Sequence, residues 1–130
     1  MRALRKLYQQ DIAFQGKDWK GRDVFCDKNT IKNHVARLHP DAALAVDRVK
    51  ADLADPHYVV ECRGAESENA IYSLTVGDHP WVVVAIKSVW VVRKKLGVPK
   101  HVRVVSTFYP CTQDDLKKEL SKGKLILKKT

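Results

Sequence analysis

The feature that most constrains the fold is the run "WVVVAIKSVWVV" at residues 81–92. Valine and isoleucine dominate it, and β-branched residues of this kind favour strands. Successive side chains of a strand point to opposite faces, so this run is apolar on both faces. Lys87 and Ser88 are its only polar interior positions. We predict a central strand covered on both sides, in a single domain whose 130 residues can bury a substantial core.

Three further stretches predict strands around this run. Alternating or largely apolar patterns occur at residues 57–63, 70–76 and 101–109. Their order along the chain predicts a meander of antiparallel strands. On the last strand, period-two alternation predicts one face that carries His101, Arg103, Val105, Thr107 and Tyr109.

Helical spacing of apolar residues comes mainly before these strands. It predicts helices within residues 1–14, 30–38 and 41–54, and a short one at 112–120. The closing "KLILKKT" is predicted to be a last strand or a basic tail. We therefore expect an α+β domain with N-terminal helices packed on one face of a twisted antiparallel sheet of about four strands.

The charge of the chain favours a polyanionic partner. Lysine and arginine number 24 against 15 aspartate and glutamate, which gives a net charge of +9. Nucleic acid is the first expectation, an anionic membrane surface the second and an acidic protein the third. The plain alternative is a surface that is basic without a dedicated ligand.

Cysteine usage and hydropathy favour an intracellular site of action. Cys26, Cys62 and Cys111 are far apart and form no metal-ligand spacing, so we expect neither a zinc site nor a disulfide framework. No apolar run is long enough to cross a membrane and no signal-peptide segment begins the chain. We expect no membrane insertion and a protein that acts in cytoplasm.

The stretch "HVARLHPD" at residues 34–41 carries two titratable imidazoles. His34 falls at the edge of the apolar stripe of its predicted helix. His39 precedes Pro40, which disfavours helix at that position, so the helix should end near Leu38. Either histidine can be structural: His34 as a packed side chain and His39 as a donor to helix-end carbonyls. The alternative is acid–base chemistry, because a histidine can take either protonation state near neutral pH.

Cations and hydroxyls on the predicted strands suit cleavage of RNA without a metal ion. In that reaction a base deprotonates the 2′-hydroxyl, an acid protonates the leaving oxygen, and cations stabilise the phosphorane between them. Lys87 should either reach an edge or meet an anion, such as a substrate phosphate, because burying an unpaired ammonium is costly. Thr107 can instead be an ordinary strand former, and Tyr109 a core ring with its hydroxyl at the rim.

Several motifs together resemble a nuclease family. "IKNHVARLHPD", "LADPHYVV", "AIYSL", "WVVVAIK" and "VVSTFY" are similar to segments of the barnase–EndoU–colicin–RelE group, above all its phage-barnase-type branch, which includes toxin domains. The resemblance covers residues 24–109, and leaves residues 1–23 as an N-terminal helix and loop and residues 110–130 as a C-terminal helix and basic tail. Members are metal-independent ribonucleases with helices against a four-stranded antiparallel sheet.

The resemblance implies catalytic roles for His34, His39, Thr107 and Tyr109, with no metal and no cofactor. The substrate-binding cations are predicted from the strand faces and the helix: Arg37, Arg63, Lys87 and Arg103. Together these residues predict an endoribonuclease, of toxin type, that leaves a 2′,3′-cyclic phosphate.

The expected partners follow from this prediction. Folded RNA such as tRNA suits a compact basic face better than long duplex DNA does. A toxin needs an inhibitor in the cell that makes it, so we expect an acidic immunity or antitoxin protein. The alternative function is a nucleic-acid-binding module without catalysis. A third, an interaction or immunity-type protein, is disfavoured by the positive charge.

Overall fold

A computed structural model describes the backbone of residues 5–6, 12–35, 46–62, 67–92 and 99–129. The side chains that it describes are those of residues 12–32, 46–62, 67–88 and 102–129. All statements below concern these parts of the chain.

The described chain is mostly β-sheet. Its strands, in chain order, are β1 (Arg5–Lys6), β2 (Ile12–Lys17), β3 (Asp23–Asp27), β4 (Tyr58–Cys62), β5 (Ser67–Tyr72), β6 (Trp81–Val92), β7 (Pro99–Cys111) and β8 (Lys124–Lys128). Seven of them lie side by side in the order β2-β3-β7-β6-β5-β4-β8, and β1 pairs with the far end of β6. The predicted central strand is confirmed: β6 spans residues 81–92 and is the middle strand of the seven.

The sheet is mixed. β4, β5, β6 and β7 form antiparallel neighbours, as does β8 with β4 and β2 with β3. β3 runs parallel to β7, and β1 runs parallel to β6. The four-strand meander therefore exists, but it is the middle of a wider sheet.

Short helices cover both faces of the sheet. They are a π-helical segment (Thr30–Val35), α1 (Val46–Ala51) and α2 (Gln113–Leu120). We name each face of the sheet after the α-helix that covers it. The α1 face carries the core side chains Val82, Val84, Ile86, Val105 and Phe108, together with Val49 and Leu53 from the α1 region. The α2 face carries Val60, Ile71, Val83 and Cys111, packed with Leu116.

Local contacts fix the two α-helices in place. After α1, the backbone oxygen of Leu53 accepts a hydrogen bond of 2.9 Å from the buried Tyr72 hydroxyl. A side chain at Gly16 would collide with Leu53, so glycine lets β2 lie close to this segment. At the start of α2, the Thr112 hydroxyl accepts from the backbone N–H of Asp115, which caps the helix.

The predicted fold class is wrong. The expected α+β domain had N-terminal helices on one face of about four strands, whereas the described chain has a seven-strand mixed sheet with short helices on both faces. The predicted helix at residues 1–14 contributed most to the error. Where that stretch is described it is strand, because residues 12–17 pair along β3 and bury Phe14 against the core. Strand pairing and burial outweighed the helical spacing of the apolar residues.

Other predicted elements are found in whole or in part. β4 and β7 coincide with predicted strands, and β8 settles the last segment as a strand. β5 begins at Ser67 and ends at Tyr72, so it only partly overlaps the strand predicted at residues 70–76. The predicted helix at 30–38 is helical at residues 30–35, and the one at 41–54 is helical at residues 46–51 but ends in a turn at 52–54; residues 36–45 lie outside the described residues.

Candidate nucleic-acid interface

A β-bulge in β7 decides which polar residues share a face. Ala85 of β6 pairs with Thr107, whereas the next residue, Ile86, pairs with Val105. Ser106 is therefore an extra residue, and a bulge of this kind inverts the alternation of side chains beyond it. The prediction that Arg103, Thr107 and Tyr109 share one face is wrong: Arg103 lies on the α1 face and the other two lie on the α2 face.

On the α1 face, Arg103 is buried among carboxylates. Its side chain is 7% exposed, and Nη2 lies 2.8 Å from Oε1 of Glu68. Its Nε lies 3.3 Å from Oδ2 of Asp18, and Nη1 donates to the Ser88 hydroxyl at 3.2 Å. Burial lowers the pKa of Arg103, and Glu68 acts against that shift.

The turn between β2 and β3 completes this group. Arg22 donates from Nε to Asp18 at 2.8 Å and from Nη2 to Glu68 at 3.1 Å. Trp19 donates from Nε1 to Glu68 at 3.3 Å. We call Asp18, Arg22, Glu68 and Arg103 the arginine cluster. It contains two guanidinium groups and two carboxylates, so its formal charge is balanced.

The turn itself has a clear local cause. Oδ1 of Asp18 accepts from the backbone N–H groups of Lys20 and Arg22, both at 2.9 Å. Gly21 has a φ of 75°, in the left-handed region that favours glycine. The turn thus holds Arg22 above Glu68. A substrate phosphate that bound Arg103, as the sequence predicts, would have to compete with the carboxylates of Asp18 and Glu68.

On the α2 face, Tyr109 is bound by a buried carboxylate. Its hydroxyl donates to Glu119, with both carboxylate oxygens at 3.0 Å, and Lys122 donates to Glu119 at 2.8 Å. Burial and the negative charge of Glu119 raise the pKa of Tyr109. The phenol therefore stays neutral at ordinary pH, which suits a structural hydrogen bond better than proton transfer.

A row of polar side chains also lies on the α2 face, beside the residues covered by α2. Ser67 pairs with Lys87, and Asn69 pairs with Ala85, which pairs with Thr107. Directly opposed residues in a sheet have Cβ atoms about 5 Å apart, so these side chains are neighbours. We call Ser67, Asn69, Lys87 and Thr107 the polar row.

Two members of the polar row have side chains in unusual states. Lys87 is exposed although β6 is the middle strand and not an edge, so its ammonium reaches water from the face of the sheet. Oγ1 of Thr107 is buried and forms no hydrogen bond, which is rare for a buried hydroxyl. A ligand oxygen that entered beside Ala85 would give this hydroxyl an acceptor.

The predicted histidine site is only partly within the described chain. The backbone of His34 belongs to the π-helical segment, which packs against β3 and β7. His39, Arg37 and Arg63 lie outside the described residues. The described chain therefore brings Thr107 and Lys87 to one face, separates Arg103 from them, and leaves the catalytic roles of the histidines as predictions.

Buried carboxylates concentrate positive charge at the surface. Among the described residues, the buried charged side chains are Asp18, Asp27, Glu68, Arg103 and Glu119. Four of these are acidic and one is basic, so the remaining described side chains carry a larger positive excess than all the described side chains together. Sequence reasoning missed the acidic members. Glu68 lies outside the strand predicted at residues 70–76, and only the strand pattern of "SENAIY" could have placed it on a sheet face.

Comparison with known proteins gives no relative: no family model, no curated protein and no solved structure matches this chain. No helix in the described ranges is both long and apolar enough to cross a membrane. The described residues also include no group of three or more histidine, cysteine or acidic side chains placed to hold a metal ion.

Proposed function

We propose that this protein is a metal-independent endoribonuclease that holds RNA against the polar row. The observation that carries the proposal is the presence of an exposed cation, Lys87, and an unbonded hydroxyl, Thr107, on the same sheet face. The resemblance of "IKNHVARLHPD" and "VVSTFY" to the barnase–EndoU–colicin–RelE group supports the same activity.

The polar row suits a phosphodiester. Phosphate oxygens accept hydrogen bonds, and the row offers the Thr107 hydroxyl and the Asn69 amide as donors. Lys87 adds a positive charge, and no ion pair joins it to another residue that the structure describes. Backbone contacts of this kind hold RNA without reading its sequence. The positive excess of the exposed surface would speed the approach of any polyanion.

The chemical step is assigned to the histidines. His34 and His39 serve as base and acid, because their ordinary pKa near ~6.5 allows both forms at neutral pH. One takes the proton of the 2′-hydroxyl and the other protonates the departing 5′-oxygen, which leaves a 2′,3′-cyclic phosphate. Lys87 and Thr107 are assigned to binding and not to the chemical step, because Ile31 of the π-helical segment packs on the α1 face, opposite the polar row. Arg37 and Arg63 are proposed as further cations. Tyr109 is left out of the chemical step because Glu119 occupies its hydroxyl.

A second candidate function is RNA binding without cleavage. Two of the eight predicted site residues, Arg103 and Tyr109, make internal contacts that stabilise the fold. Fewer residues are therefore left for catalysis than the sequence predicted, whereas the polar row remains available for RNA binding.

The partners belong to the same proposal. Folded RNA, of which tRNA is one example, is the substrate. A protein that cuts RNA in cytoplasm needs control in the cell that makes it, and an acidic inhibitor of the immunity or antitoxin type complements the basic surface.

The two candidate functions differ in one experiment. Purified protein is incubated with total RNA in EDTA, and the cut ends are mapped for cyclic phosphate. We expect cleavage in EDTA, a loss of about 10²–10⁴-fold in His34→Ala or His39→Ala, and unchanged folding by circular dichroism. Binding without cleavage, with both histidine variants bound as tightly as the wild type, would support the module without catalysis. Cleavage that disappears on chelation would exclude the histidine mechanism.

A further inference from the structure

A cleft opens on the α1 face, where the turn between β2 and β3 meets the end of β8 and the segment that joins α1 to β4. Four apolar residues line it and define what we call the Trp19 cleft: Trp19, Ala54, Pro56 and Leu127. Its volume is about 310 Å³, which is near the lower limit for clefts that bind small ligands. Trp19 and Leu127 also pack against the core of the α1 face, which fixes two of the walls.

Trp19 is held in place from the side of the arginine cluster. Its indole Nε1 donates to Glu68 at 3.3 Å, and the guanidinium of Arg22 lies 5.6 Å from the centroid of its ring. The Trp19 side chain is half-buried, so part of it is still accessible. A ring that is already ordered loses little conformational freedom when a flat ligand stacks on it.

Polar groups stand at the rim of the Trp19 cleft. Asp55 and Lys129 also line it, and they form an ion pair of 2.7 Å. Both side chains are exposed, and exposed ion pairs are weak, so the carboxylate and the ammonium can also bond to a ligand. The ammonium of Lys20 lies 5.0 Å from the centroid of the Trp19 ring, and no carboxylate pairs with it among the described residues. The cleft thus combines an aromatic wall, a hydrogen-bond acceptor and donor, and an uncompensated positive charge.

We propose that the Trp19 cleft binds an unpaired nucleobase of single-stranded RNA, with the base stacked on the indole ring of Trp19. Every base has a flat π-face and an edge with hydrogen-bonding groups, so it matches both the wall and the rim. An exposed contact between a cation and a ring is weaker than base stacking, so the base can displace the flexible Lys20 side chain from the ring. The displaced ammonium then lies close to the phosphate of the same nucleotide.

The choice of RNA as the ligand rests on the proposed function, but base binding itself does not require cleavage. The polar row lies on the α2 face, so the cleft takes a different nucleotide from the one at the polar row. The π-helical segment, which contains the predicted catalytic His34, packs through Ile31 on the core of the same face as the cleft. The stacked base therefore lies on the side of the sheet to which the chemical step is assigned.

An apolar side chain of a peptide is the competing occupant of the Trp19 cleft. It would fill the space beside Trp19 but would use neither the pair of Asp55 and Lys129 nor the charge of Lys20. A nucleotide uses the ring, the pair and the charge, and we therefore assign the cleft to a base.

The test compares two RNA-like strands of equal length and charge. One is hexaadenylate with 2′-O-methyl groups, which cannot be cut through the 2′-hydroxyl, and the other carries no bases. We expect hexaadenylate to shift the NMR signal of the Trp19 indole N–H and to bind about tenfold more tightly than the strand without bases. Trp19→Phe assigns that signal by its absence. Duplex RNA should leave the signal unchanged, because its bases are already paired and stacked.

A variant that fills the cleft separates binding from folding. Ala54 is exposed, so Ala54→Leu should fold as the wild type does while it occupies the space beside Trp19. We expect this variant to bind the two strands equally. Ala51→Leu is the matched control, because Ala51 is also exposed and is not among the residues that line the cleft. Circular dichroism checks the fold of both variants.

Any of four results would overturn the proposal. Equal affinity of the wild type for the two strands would mean that charge alone attracts RNA. Undiminished preference for hexaadenylate in Ala54→Leu, or an unmoved Trp19 signal, would place the base elsewhere. Adenosine monophosphate that binds as tightly as hexaadenylate would assign the cleft to a free nucleotide. A phenylalanine-containing peptide that shifts the Trp19 signal when hexaadenylate does not would assign it to a protein. None of these measurements depends on cleavage, so the ribonuclease proposal and the base-binding proposal can fail separately.

Discussion

The arginine cluster and the polar row lie on opposite faces of the same sheet, and they use polar residues in opposite ways. In the arginine cluster, Arg103 has carboxylate partners at 2.8 and 3.3 Å and is buried. In the polar row, Lys87 is exposed and the Thr107 hydroxyl has no acceptor. Nε of Arg103 also lacks a hydrogen bond, so the difference lies in charge: the guanidinium of Arg103 is held by ion pairs inside the fold, whereas the ammonium of Lys87 is open to a ligand.

The largest effect should come from breaking the arginine cluster. We expect Glu68→Gln to lower the free energy of unfolding by about 3–5 kcal/mol, because it leaves the buried guanidinium of Arg103 and the half-buried one of Arg22 without their shared carboxylate. Urea denaturation measures this. The matched change on the other face, Lys87→Gln, should cost less than about 0.5 kcal/mol because Lys87 is exposed. Similar losses in both variants would contradict the contrast between the two faces.

Thr107→Val tests the polar row further, because it should lower RNA cleavage without lowering the stability of the fold. Replacing a buried, unbonded hydroxyl by a methyl group of similar shape should keep or raise stability, by up to about 1 kcal/mol. RNA cleavage should fall about tenfold, and Thr107→Ser should retain most of it. The measurements are urea denaturation and cleavage of a fixed RNA. Loss of stability together with activity would make Thr107 a core residue.

Lys87→Gln should weaken RNA binding and reduce its dependence on salt, since one phosphate contact is lost. We expect a decrease of about three- to tenfold in affinity at low salt. Lys50→Gln is the matched control, because Lys50 is also exposed but lies on α1, on the opposite face. Fluorescence anisotropy at several salt concentrations measures both variants. Equal effects would indicate that RNA binds the charge of the whole surface and not the polar row.

These predictions depend on features that the sequence revealed unevenly. The position of β6 followed directly from an apolar run with two apolar faces. The side on which Thr107 lies did not, because one extra residue at Ser106 inverts the alternation and no local signal in "VVSTFY" marks a bulge. Register with a neighbouring strand is a long-range property, so a single strand pattern could not supply it.

The arginine cluster was missed for a related reason. Asp18 and Glu68 are 50 positions apart and look like ordinary surface acids in the sequence. They become partners of Arg103 only because β3 and β5 flank the β7–β6 pair, and because the turn after β2 reaches across the sheet. Charge counting gave the correct sign for the surface but could not show which carboxylates are buried.

The hydrogen bond between Tyr109 and Glu119 lies on the same face as the polar row, but like the arginine cluster it joins two groups inside the protein. We expect Tyr109→Phe to lower the free energy of unfolding by about 1 kcal/mol, since it leaves a buried carboxylate with one donor fewer. The rate of RNA cleavage should stay at the wild-type value once differences in folding are excluded by circular dichroism. A large drop in rate would restore the catalytic role predicted from the sequence.

The smallest effect concerns pH and Cys111, the neighbour of Tyr109 in the same apolar group. Burial, with Glu119 and Asp115 nearby, raises the pKa of the Cys111 thiol from its usual 9.0 to about 11. Folding thus favours the neutral thiol. Its contribution to stability is complete below pH 9 and is lost as pH rises toward 11.

Urea midpoints measured from pH 8 to 11 should fall less steeply in Cys111→Ala than in the wild type, whatever constant offset the smaller side chain adds. Tyr109→Phe is the control, because the pKa of Tyr109 is also raised but from 10.0, so its influence begins at higher pH. Parallel curves for wild type and Cys111→Ala would show that the thiol is not held neutral by its surroundings.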